Sequence, residues 1–122
     1  MTRNRFIDEI VEPRLSLIRE VLAKKNTEYA SHDDVFKAFV QSTSFSLHQT
    51  PQATAWEFMV KHLQSIQQMV SDYEKVGKLP DESVLDEKIG DAINYMILIE
   101  GMFKEALIPR KVEEARVKYT LI

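Results

Sequence analysis

An all-α fold, an antiparallel bundle of about four to five helices, is what this sequence predicts, and three observations predict it. Glycine occurs three times and proline four in 122 residues, too few turn formers for a chain of many short strands. No segment alternates apolar and polar residues with β-branched enrichment over a strand's length. Several long runs instead repeat apolar residues at i, i+3, i+4 and i+7, the period of a helix with one buried face. The length suits a single domain, and 44% hydrophobic with 29% charged residues suits a globular chain with a small core.

The first helix is expected over residues 4–25, where Ile7, Val11, Leu15, Ile18 and Leu22 make one stripe with Ile10, Leu17 and Val21 beside it. Pro13 lies inside it, and an interior proline removes a hydrogen bond and clashes with the preceding turn, so a kink or break is expected near Glu12. The polar run KKNTEYASHDD, residues 24–34, reads as a connection, with Ser31 or Asp33 as a cap for the next helix. Lys24, Lys25, Tyr29 and His32 either greet a phosphate and a base there or form a solvated link with one packed tyrosine. Val35, Phe36, Phe39 and Val40 have helical spacing within residues 33–45.

Thr50-Pro51 marks the next start, a capping hydroxyl followed by proline at the first helical position. Over residues 51–74, Trp56, Met59, Leu63, Ile66, Val70 and Tyr73 form a heptad-like seam expected to be the core face. KVGKLPD, residues 75–81, is a short turn that makes its flanking helices antiparallel neighbours. The last core helix spans residues 82–108, starting near Asp81 or Ser83 and stopping before Pro109. Its apolar run Met96, Ile97, Leu98, Ile99 predicts a central, buried element. The tail, 109–122, is a short helix or a docked extension, with Tyr119, Leu121 and Ile122 apolar enough to pack on a second subunit. Met59, Met69, Met96 and Met102 read as core fillers.

Absent cysteine removes disulfides, thiolate nucleophiles and zinc–thiolate sites. A formal charge of −3 gives no drive toward nucleic acid or an anionic membrane. No apolar run approaches the roughly 18 residues of a membrane span, and MTRNRFIDEI lacks the apolar core of a signal peptide, so a cytoplasmic location is expected.

Only one acidic pair has a placement that looks chemical. Glu87 and Asp91 stand four apart, one above the other on a helix face that Asn94 and Tyr95 extend. Two carboxylates at the mouth of a buried helix suit a divalent cation, because a hard cation wants charged oxygens held together. Antiparallel packing brings the stripe Lys61, Gln64, Ser65 and Gln68 opposite, with Asp91 level with Gln64 and Ser65 and Tyr95 level with Lys61. Lys61 then either pairs with Asp91 or binds a phosphate oxygen. His62, on that flank, reads as a partly buried hydrogen-bonded side chain or a substrate contact.

The run EKIGDAINYMILIEG resembles the second motif of the MazG-like all-α nucleotide pyrophosphohydrolases, E-x-x-x-D followed by an apolar helix. That superfamily includes MazG, the dimeric dUTPases and the phosphoribosyl-ATP pyrophosphohydrolases. MVKHLQSIQQMV with DEKIGDAINYMILIEG is also similar to small phage and prophage proteins grouped with it. The resemblance covers about residues 15–108. It implies that Glu87 and Asp91 hold Mg2+, and that a nucleoside triphosphate is hydrolysed to monophosphate and pyrophosphate in a homodimer or homotetramer. In that reading Glu87, Asp91 and Lys61 are catalytic, and Lys25, Tyr29, His62 and Asn94 bind substrate. One motif departs: where the family carries E-x-x-E on the preceding helix, this chain has Lys61-His62-Leu63-Gln64-Ser65. The alternative is a catalytically silent helical interaction or accessory protein of a phage or prophage.

Overall fold

The computed structural model describes residues 1–29, 35–43 and 48–120. All regular structure among them is helical, with no strand, and none of their helices is long and apolar enough to cross a membrane. Helix α1 (Arg3–Phe6) passes through one π-helical turn, Ile7–Val11, into α2 (Glu12–Tyr29); α3 (Lys37–Thr43), α4 (Pro51–Val76) and α5 (Glu82–Thr120) follow.

Expectation and outcome differ first at the prolines. The chain does not break near Glu12, and the disturbance expected there as a kink or break takes the form of one π-helical turn that ends at it. The Glu12 N–H bonds the Ile7 carbonyl, an i to i−5 step, so the wider turn lies just ahead of Pro13 and absorbs the donor that the ring lacks. Nor does the last helix stop before Pro109, which lies inside α5. Proline there costs one hydrogen bond, and the mixed charges of the tail pair along the helix: Lys104 with Glu100 (2.9 Å), Arg110 with Glu114 (3.3 Å) and Arg116 with Glu113 (3.0 Å).

The caps follow the sequence closely. Thr50 Oγ1 accepts from the Ala53 N–H (3.2 Å), with Pro51 opening α4. Gly77 ends α4 at φ 68°, a left-handed conformation that glycine adopts without penalty, and its N–H bonds the Tyr73 carbonyl (3.0 Å). Asp81 caps α5. Its Oδ1 accepts from the Ser83 hydroxyl (2.6 Å) and from the Ser83 and Val84 N–H groups (3.0 and 3.3 Å). Those bonds, the Ser83 hydroxyl foremost, hold the Asp81 carboxyl below its ordinary value.

Helices α4 and α5 are the main pair, with α3 laid on α4 and α2 on α5. They run antiparallel: Phe58 meets Tyr95 at a ring separation of 6.5 Å, and His62 lies beside Asp91. Ala55, Met59, Ala92 and Met102 are buried between them. Phe39 of α3 closes an aromatic cluster with Phe58 and Tyr95, each ring 6.2 Å away.

The expected seam on α4 is rotated. Met59 is buried and Leu63 and Ile66 are half-buried, but Trp56, Val70 and Tyr73 stand exposed. The inward face is carried by Thr54, Ala55, Met59 and His62, where small side chains let the helices approach. On α5, Leu98 and Ile99 are half-buried while Met96 and Ile97 face outward, so the apolar run is not enclosed on all sides and Met96 is no core filler. Residues 33–34 and 44–45 of the expected third helix, and Ser31, His32, Leu121 and Ile122, lie outside the described residues.

Candidate functional site

Glu87, Asp91 and Asn94 step by four and three along α5 and therefore share a face. Across from them, α2 presents Arg14, Leu17, Ile18 and Val21. The two helices enclose a hollow of about 220 Å³, lined by those residues together with Asp86 and Gly90. The two acids expected to share a cavity both line it.

Arg14 fixes the mouth of this hollow. Its Nη1 donates to the Asp86 carbonyl oxygen (3.2 Å) and its Nη2 lies 3.7 Å from Asp86 Oδ1. The guanidinium lies directly over Gly90, where a Cβ would stand 2.7 Å from Nη1, so only glycine leaves it room without a shift. Sequence reasoning missed Arg14, although a signal was present: it fills the gap in the stripe Ile10, Leu17, Val21, and a cation on an apolar stripe needs a partner.

Asn94 is the floor. It is only 5% exposed, it lines the hollow, and its Oδ1 is buried with no hydrogen-bond partner among the described residues. A buried acceptor left unpaired costs about 1–3 kcal/mol. Asp91 is partly buried, and on its α4 side His62 Nδ1 approaches its Oδ2 to 3.6 Å, beyond hydrogen-bond length. The His62 ring stacks on Tyr95 at 5.6 Å. Burial, and then the nearby Asp91 charge, push the Tyr95 phenol above its ordinary value, because both disfavour a phenolate there.

The register across the helix pair differs from the expected one. His62, rather than Gln64 and Ser65, is level with Asp91, and Phe58 and His62, rather than Lys61, flank Tyr95. Lys61, Gln64 and Gln68 are exposed, because the small residues of α4 set its inward face a step away from theirs. Lys61 does not line the hollow, and His62 backs it rather than opening into it. Lys25 and Tyr29 fall in the last turns of α2, with their side chains outside the described part.

The arrangement offers hard oxygen donors from Glu87, Asp91 and Asn94 on one wall and a held guanidinium on the other. A divalent cation suits the first and a phosphate oxygen the second. Among the described residues, no three histidine, aspartate or glutamate side chains are grouped so as to hold a metal ion. No family model, curated protein or solved structure matches this chain.

Proposed function

We propose that the α2–α5 hollow binds the phosphate end of a nucleoside or deoxynucleoside triphosphate together with Mg2+, and that the chain hydrolyses it to monophosphate and pyrophosphate. The observation that carries this is Asn94: its buried amide oxygen has no partner among the described residues, and the residue lines the same hollow as two carboxylates. A hydrated Mg2+ or a cation-bound water supplies what that oxygen lacks. The resemblance of the Glu87 to Asp91 motif to the MazG-like enzymes supports the same reading.

Glu87 and Asp91 would hold the cation, with Asn94 Oδ1 as a neutral third donor. The bound cation would offset phosphate charge and lower the pKa of a coordinated water. Arg14 orients the anionic end and stabilises charge on the phosphoryl oxygens. His62 lies beside Asp91 on its α4 side. A hollow of about 220 Å³ is small beside the ~300–1,000 Å³ of ordinary small-molecule pockets, so it accommodates the phosphates and leaves the base outside.

The test is pyrophosphate release from a panel of nucleoside and deoxynucleoside triphosphates against Mg2+ concentration. Turnover that Asp91→Asn abolishes is expected. Absence of turnover, together with no Mg2+-dependent rise in melting temperature, overturns the proposal. A second reading, a silent helical accessory protein, is favoured by the Arg14–Asp86 contact and the His62–Asp91 approach, which give two of the acids structural neighbours. It gains if Glu87→Gln and Asp91→Asn raise thermal stability with no activity to lose.

A further inference from the structure

The hollow between α2 and α5 has a wall that phosphates do not use. Beyond Arg14, α2 lines it with Leu17, Ile18 and Val21, three aliphatic side chains, and α5 lines it with Glu87, Asp91 and Asn94. A hydrated anion gains nothing from an aliphatic surface, whereas methylene groups are stabilised when they leave water against one.

The charges point the same way. Arg14 is engaged by Asp86, its Nη1 on the backbone carbonyl at 3.2 Å and its Nη2 3.7 Å from Oδ1. Among the described residues Glu87 pairs with no cation, and the basic group beside Asp91 is His62, whose Nδ1 stands 3.6 Å away, beyond hydrogen-bond length. A third acceptor joins them. Asn94 is 5% exposed and lines the hollow, and its Oδ1 has no partner among the described residues. An ammonium group carries three N–H donors and no acceptor, so it suits a set made of two carboxylates and an amide oxygen.

Spacing sets the length of the ligand. Glu87 and Asp91 are four residues apart, about 6 Å along the helix axis. An extended chain advances about 1.2 Å per bond, so the five bonds between the nitrogens of a four-carbon diamine also cover about 6 Å. We propose that this hollow binds a short linear aliphatic diamine, with its ammonium groups on Glu87 and Asp91 and its methylene chain against Leu17, Ile18 and Val21. A hollow of about 220 Å³ is of a size for so few heavy atoms. This inference shares two acids with the function proposed above but needs neither nucleotide nor Mg2+, so either can fail without the other.

Calorimetric titration with diaminobutane, diaminoethane and butylamine, at constant ionic strength and without Mg2+ or nucleotide, tests it. One-to-one binding of diaminobutane is expected, tighter than either of the others by about tenfold, because each of those forfeits one charge-assisted hydrogen bond. Glu87→Gln and Asp91→Asn should each weaken diaminobutane by about tenfold while helical circular dichroism persists. Leu17→Asn should weaken it about fourfold, the effect of one methylene left in water. Equal affinity for the three amines overturns the inference, and so does the lack of saturable binding up to about 10 mM diaminobutane. Binding that both acid variants retain overturns the placement of the ammonium groups, and affinity unchanged in Leu17→Asn overturns the role of the aliphatic wall. Should a variant not fold, the series of amines on the wild-type chain decides alone.

Discussion

The two halves of α5 make an instructive pair. Residues 82–102 and 103–120 are one unbroken helix with similar shares of apolar side chains, yet the first half buries Ala92, Asn94 and Met102 while every residue from 103 to 118 is exposed. The difference lies in what stands opposite. Helices α2 and α4 cover the first half and leave the second bare. An apolar stripe states that a surface needs cover; it does not state whose.

The sharpest break of this comparison is between Met59, 1% exposed against the first half, and Phe103, 54% exposed on the second. Met59→Ala should cost about 2–5 kcal/mol in chemical denaturation, independent of protein concentration, because it opens a cavity in the α4–α5 contact. Phe103→Ala should cost well under about 1 kcal/mol in the same experiment, because a side chain already 54% exposed leaves no cavity behind. Equal losses would erase the distinction.

Asn94→Leu comes next. Replacing a buried amide whose oxygen has no partner among the described residues by an apolar side chain of similar volume should raise stability by about 1–3 kcal/mol while abolishing Mg2+-dependent nucleotide binding. Loss of both stability and binding would mean that Asn94 serves the core rather than a ligand.

Gly90→Ala is smaller and separates the two roles. Alanine favours the helix over glycine by about 1 kcal/mol. Its Cβ displaces only the flexible end of Arg14, whose partly exposed pair with Asp86 is worth about 0–1 kcal/mol. Near-neutral stability with weakened triphosphate binding is therefore expected in paired denaturation and titration experiments.

The smallest effect is on Tyr95. Its folded value lies above the usual ~10 of a phenol, so its contribution is fully present below that pH and is lost as pH rises through the folded value. Ultraviolet titration should show a phenol ionising above the usual range that Tyr95→Phe removes, and the same change should flatten the alkaline decline in melting temperature.

Much of the fold was legible where the signal is local. Thr50-Pro51, Gly77 and Asp81 mark the ends of α4 and α5 because capping and turn chemistry act within a few residues. Glu87 and Asp91 were legible as neighbours because four residues make one turn, and they do share a hollow. What depended on a partner helix was not legible. The opposing wall, Arg14 above all, comes from a helix more than seventy residues away, and the step that places His62 beside Asp91 depends on which face of α4, the one with Ala55 and Met59, turns inward. The prolines misled for a related reason: a lost hydrogen bond is a fixed cost, and whether a helix absorbs it or stops depends on everything else holding that helix.

The most direct measurement is a crystal of the protein grown with Mg2+ and a non-hydrolysable nucleoside triphosphate. Cation density bounded by the carboxylates of Glu87 and Asp91 and by Asn94 Oδ1, with phosphate oxygens toward Arg14, is the predicted result. Nucleotide bound elsewhere, or a hollow without cation at saturating Mg2+ and nucleotide, would contradict the account.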